Sequence, residues 1–151
     1  MEKHDVELAA LKLKKDDLSL VIVKNAEVIF ETKKAGISGF LQAIEELGQE
    51  LVSSSLADKV VGVAASMLCV HADVVSVFAQ TISDGGLAVL KNNNIEYQFE
   101  TKVSNILNRD KTDVCPFEKL AVTSQTAQEA YLKLKSFATQ LMNKSTKTGC
   151  N

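Results

Sequence analysis

The chain has 151 residues, 46% apolar and 24% charged, with 17 basic against 19 acidic residues and a net charge of −2. That describes one globular domain with room for a hydrophobic core, and excludes a disordered, collagen-like or disulfide-scaffold chain. The acidic excess, the absence of Trp and an aromatic content of 5% argue against nucleic acid as a partner, which needs a basic surface or a stacking platform.

Residues 4 to 15 read as a helix. Val6, Ala9, Ala10 and Leu13 recur at helical spacing, and Lys12, Lys14 and Lys15 sit where cations suit the helix dipole. Leu18 to Val23 is an apolar run broken only by Ser19, the pattern of a buried strand. With Val28-Ile29-Phe30 beyond the turn Lys24 to Glu27 it predicts a hairpin, in which Ala26 is the odd residue because Gly suits a positive φ better. A polar loop, Thr32 to Gly36, leads to a helix over Ile37 to Leu47, closed by Gly48. Ser53-Ser54-Ser55 then precedes a more apolar helix, Leu56 to Cys69, with Ser55 and Asp58 at capping-box spacing.

Val74 to Ile82, rich in β-branched residues, predicts a strand, and Ser83-Asp84-Gly85-Gly86 a tight turn into a short helix, Leu87 to Lys91. Asn92-Asn93-Asn94 stops that helix before a strand over Ile95 to Phe99. Val103 to Leu107 reads equally as a short strand or a helical turn, and Asn108 to Asp113 as a polar loop. Pro116 opens a helix to about Val122, and Ala127 to Leu141 is a long amphipathic helix. We expect a single domain over residues 1–142 and a flexible polar tail over 143–151. The order of elements calls for parallel strands after the hairpin, with helices on both faces. The expected fold is therefore a three-layer α/β/α sandwich with a mixed sheet of four or five strands.

No secretory signal is visible at the start, and the longest apolar stretch, Val60 to Val70, is about half a membrane span. Three cysteines without a CxxC pair argue against a disulfide framework or zinc ribbon and for a reducing, cytoplasmic setting.

The order of elements resembles the cytidine-deaminase-like fold, in which an antiparallel pair is followed by a helix, a strand, a second helix and a further parallel strand. Leu18 to Lys24 with Glu27 to Glu31, Ala57 to Gly62, Asn108-Arg109-Asp110 and Cys115-Pro116-Phe117-Glu118 resemble a small family of uncharacterised microbial proteins that have this fold without the deaminase zinc motif. The resemblance covers roughly residues 5 to 140. A zinc deaminase needs His or Cys with Glu at one helix start and Pro-Cys-x-x-Cys at the next. We place those slots near Ala57-Asp58-Lys59 and Ser83 to Gly86, where neither His nor Cys occurs, so no metal and no cofactor is expected.

On that fold, two helix amino-termini face one crevice at the carboxyl ends of the strands, a natural site for a small anion. Ser55, Asp58 and Lys59 line one mouth, and Ser83, Asp84, Gly85 and Gly86 the other. Asn108 and Arg109 supply hydrogen bonds and a clamp, and Cys115 sits before a helix start. Each has a simpler reading as a cap, a turn, a solvated charge or an inert thiol. His4, His71, Cys69 and Cys150 read as surface, core or tail residues. The expectation is a metal-free, nucleotide-like or phosphorylated small-ligand binder. Two alternatives stay open: an enzyme of unassigned reaction using Asp58 or Cys115, or an interaction subunit with a vestigial crevice. Membranes are not expected as partners, and by analogy with the fold a homodimer is.

Overall fold

The computed structural model describes the backbone of residues 2–144 and the side chains of residues 4–142. In chain order the elements are α1 (Glu2–Lys15), β1 (Leu20–Lys24), β2 (Glu27–Thr32), α2 (Ile37–Leu47), a 3-10 turn (Gly48–Leu51), β3 (Ser55–Val61) and α3 (Val63–His71). Then come β4 (Ser76–Ser83), α4 (Asp84–Asn92), β5 (Glu96–Val103), α5 (Pro116–Val122) and α6 (Ala127–Lys144). The five strands lie in the order β2-β1-β3-β4-β5. β1 runs antiparallel to both β2 and β3, while β3, β4 and β5 are parallel. The mixed α/β sandwich expected from the sequence is the fold.

Side-chain alternation divides the core. Val21 and Val23 of β1, with Ala57 and Phe78, face α1 and bury Val6, Ala9 and Leu13. Leu20 and Ile22, with Leu56, Val77 and Ala79, face the other way into the larger cluster with α2, α3 and α4. α5 and α6 pack against α3 and against each other.

Three helix-to-strand turns use one device. After α1, α3 and α4 a single residue turns left-handed: Asp17 (φ 51°), Asp73 (φ 60°) and Asn94 (φ 58°). The next N–H then reaches back five residues, Leu18 to the Leu13 carbonyl, Val74 to Cys69 and Ile95 to Leu90. Leu18, Val74 and Ile95 are buried, so each turn also seats an apolar residue under the helix it ends.

The largest departure from the sequence reading is Leu56 to Cys69, which is not one helix. Ser55–Val61 is the central strand, and only Val63–His71 is helical. Leu56, Ala57, Val60 and Val61 suit either state, and pairing on both sides, with β1 and β4, decides it. The Ser55–Asp58 capping box does not form, and the Asp58 Oδ1 instead accepts the N–H of Val60 at 3.2 Å. The turn Ser83 to Gly86 is the first turn of α4, capped by the Ser83 Oγ, which accepts the Gly86 N–H at 3.0 Å. β5 extends to Val103, while Leu107 makes an isolated bridge to Val114. α6 takes in residues 143 and 144, the first two of the expected tail; the rest of it, with Cys150, lies outside the described residues.

Candidate functional site

A cavity of about 70 Å³ opens toward the carboxyl end of β3. Asp58, Lys59 and Val60 form its strand wall, and Ser19 borders it from the start of β1. Ala35, Gly36 and Ile37 bring the amino-terminus of α2, Gly62 and Ala65 that of α3, and Ile106 and Glu118 close it from the segment after β5. Two helix amino-termini thus meet one crevice, as expected, but each is one helix earlier in the chain than the sequence suggested.

Glu118 is the best-held side chain here. It is 7% exposed, on the first turn of α5. Its Oε1 accepts the Val63 N–H at 2.7 Å and its Oε2 the Ala64 N–H at 2.8 Å, so one carboxylate satisfies two orphan donors of α3. Gly62, the N-cap of α3, makes room for it, since a Cβ at that position would collide with the Glu118 carboxyl group. Burial pushes the Glu118 pKa up, against the opposing pull of those two N–H bonds.

Asp58 faces the same cavity with poorer support. Burial pushes its pKa up to about 7, opposed only by backbone N–H groups of its own strand. It also raises the pKa of the buried Cys69 thiol, after desolvation of that thiol itself. An acid in a pocket that titrates near neutrality is a marker of a functional site.

The remaining predicted site residues are not brought together. The Lys59 ammonium pairs with the Asp17 Oδ1 at 2.9 Å, which leaves its stem against the cavity and its charge engaged elsewhere. Ser55 is buried at the opposite end of β3. Ser83 caps α4, and Asp84 lies 3.7 Å from the Lys102 ammonium. Gly85 and Gly86 allow close helix packing: a Cβ on Gly86 would sit 2.9 Å from the Gly62 backbone, and one on Gly85 2.7 Å from Val63. The Asn108 Oδ1 accepts the Thr112 N–H at 3.0 Å and closes its own loop, and Arg109 is exposed outside the cavity. Cys115 is fully buried and does not line the cavity. Sequence reasoning missed Ser19, Gly36, Ile37, Ile106 and Glu118. The one signal for Glu118 was its place in the Cys115-Pro116-Phe117-Glu118 motif.

The helix starts that meet at the cavity are those of α2 and α3. α2 opens with Gly36, Ile37 and Ser38, and α3 with Gly62, Val63 and Ala64. Those residues do not fit a zinc ion, and among the described residues no group of three or more His, Cys, Asp or Glu could hold a metal. No described helix is long and apolar enough to cross a membrane.

No curated protein matches the chain. Among solved structures, the crystal structure of a DUF1893 family protein (TM1506) from Thermotoga maritima matches with a TM-score of 0.81 and 26% identity, over 90% of this chain and 91% of that one. RibD of Acinetobacter baumannii overlaps with a TM-score of 0.49 and 20% identity, over 66% of this chain and 35% of that one. The dCMP deaminase of cyanophage S-TIM5 overlaps with a TM-score of 0.47 and 18% identity, over 68% of this chain and 96% of that one. The family model described as a domain of unknown function (DUF1893) matches residues 8–138, and the chain belongs to that family.

Proposed function

We propose that this domain binds a small ligand through the Asp58 carboxyl group, recognising a compact hydrogen-bond donor such as an amine, an amidine or the amino edge of a heterocycle. The observation that supports it most is the environment of Asp58: a carboxyl in a cavity, held near neutrality by desolvation, with only backbone donors around it. Ile37, Val60, Ala65 and Ile106 give the cavity an apolar side against which a flat or aliphatic group packs. The acidic lining favours this class over the phosphate expected from the sequence, because Lys59 is engaged by Asp17 and Arg109 stands away. At about 70 Å³ the cavity has the volume of about two waters, room for a recognition group but not a nucleotide. The body of a larger ligand would lie over the opening. A second reading rests on the same carboxyl: a group titrating at about 7 is matched to proton transfer at neutral pH, so Asp58 is the residue on which an enzymatic activity would turn.

Calorimetry and thermal shift with guanidine, imidazole, 2-aminopyrimidine and inorganic phosphate test this. A cationic donor should bind the ionised carboxyl, so its affinity should fall about tenfold for each pH unit below 7 and level off above it. Asp58→Asn should abolish that dependence and most of the binding. Preferential stabilisation by phosphate, or unchanged binding by the Asn variant, would overturn the reading.

A further inference from the structure

β5 ends the sheet, and no described strand lies against its outer edge. The Glu96 N–H donates to the Val75 carbonyl at 3.1 Å. By strand alternation, the backbone groups of Glu96, Gln98, Glu100 and Lys102 therefore face β4, and those of Tyr97, Phe99 and Thr101 face outward. Phe99, at the middle of this edge, is 39% exposed. The opposite edge, β2, carries a register shift that β5 lacks, and its central self-pairing register opposes like charges. A register shift opposite Ile22 and Val23 distorts β2, and pairing with a second β2 about Ile29 would set Glu27 against the partner's Glu31.

We propose that β5 is a homodimerisation edge, on which two copies pair antiparallel about a two-fold axis through Phe99 and join their sheets into one. The register follows from two independent constraints. Only the odd-numbered residues present outward hydrogen-bonding groups, so odd residues must face odd residues, as they do when Phe99 faces the partner's Phe99 and Tyr97 the partner's Thr101. That alignment places Glu96 against the partner's Lys102 and Gln98 against the partner's Glu100, each twice by symmetry. Moving the axis to Gln98 sets Glu96 against the partner's Glu100, and moving it to Glu100 sets that residue against its own copy. Both neighbouring registers oppose glutamates, while the Phe99 register pairs opposite charges and retains almost the whole strand. Charge complementarity thus selects a second copy of this chain as the occupant.

Sedimentation velocity over a concentration series, with amide hydrogen exchange, tests the pairing. The wild-type chain should dimerise, with exchange at Tyr97, Phe99 and Thr101 slowed as dimer forms, while Glu96 and Gln98 stay protected throughout. Lys102→Glu should weaken the dimer about tenfold, because two attractive pairs become repulsive. The double exchange Glu96→Lys with Lys102→Glu should restore it. Since that exchange does not restore the Lys102 contact to Asp84, recovery reports the pairing of β5 alone. A wild-type monomer at all concentrations, a dimer indifferent to Lys102→Glu, or dimer protection absent from the three outward amides would each overturn the proposal.

Discussion

Glu118 and Gly62 make one device out of two distant residues. The carboxylate satisfies the first N–H groups of α3, and the missing Cβ admits it. Glu118→Ala should cost about 1.5–3 kcal/mol, the range for hydrogen bonds to a charged group. Gly62→Ala should cost a similar amount, because the new methyl evicts the carboxylate. On the Glu118→Ala background the same Gly62→Ala change should cost less than about 1 kcal/mol, so a double-mutant cycle by urea denaturation reads strong coupling. Additive losses would show that Gly62 serves some other purpose. Little of this was legible in the sequence. An acid in a first helical turn is ordinarily a solvated dipole partner, and nothing in Pro116-Phe117-Glu118-Lys119 says that this one reaches Val63 and Ala64 across the fold. Asp58 was legible as a candidate, but on a helix rather than on the central strand.

At the level of elements, the hairpin was readable together with its flaw. Asn25 and Ala26 both adopt positive φ, 53° and 66°, and the Ala26 N–H donates to the Asp5 Oδ1 at 3.0 Å. That bond anchors the turn to α1 and is one contribution that offsets a conformation costing alanine about 1 kcal/mol. Ala26→Gly keeps the N–H and removes the clash, so it should stabilise the chain by about 0.5–1 kcal/mol, visible as a raised Tm; a lowered Tm would show that entropy lost by glycine outweighs the strain. The hairpin could be read because its signals are local. β3 could not, because Leu56-Ala57 and Val60-Val61 alternate too loosely to show a strand. Their state is settled by β1 on one side and β4 on the other, both remote in sequence. With Asp58 on β3 instead of at a helix start, α3 meets α2 at the cavity and not α4.

For the whole molecule, the two acids of the cavity set a pH dependence opposite to that of ordinary surface carboxylates. Asp58 titrates at about 7 in the folded chain and near 3.8 when unfolded. Between those values the folded state holds a proton that the unfolded state has released, so stability from this group falls as pH rises and levels off above 7. Glu118, also shifted upward, acts in the same direction. The stability of Asp58→Asn relative to the wild type should therefore grow from pH 5 to pH 8. At about 1.4 kcal/mol for each pH unit between 3.8 and about 7 the ceiling is about 4 kcal/mol, and water in the open side of the cavity reduces it. A difference independent of pH, measured by urea denaturation, would place the Asp58 carboxyl in contact with bulk water.

The order of strands in space differs from their order in time of synthesis. β1 leaves the ribosome with β2 on one edge, and its other neighbour, β3, begins only at Ser55. Until β3 and then β4 deliver Ala57 and Phe78, α1 has only part of the surface it covers in the finished fold. The sheet closes with β5, before Ile106 and Glu118 have been made. A nascent chain can therefore complete its sheet and still lack a cavity, since the carboxylate that finishes the α3 amino-terminus is made only after β5. The cavity, unlike the sheet that supports it, depends on residues made after the last strand.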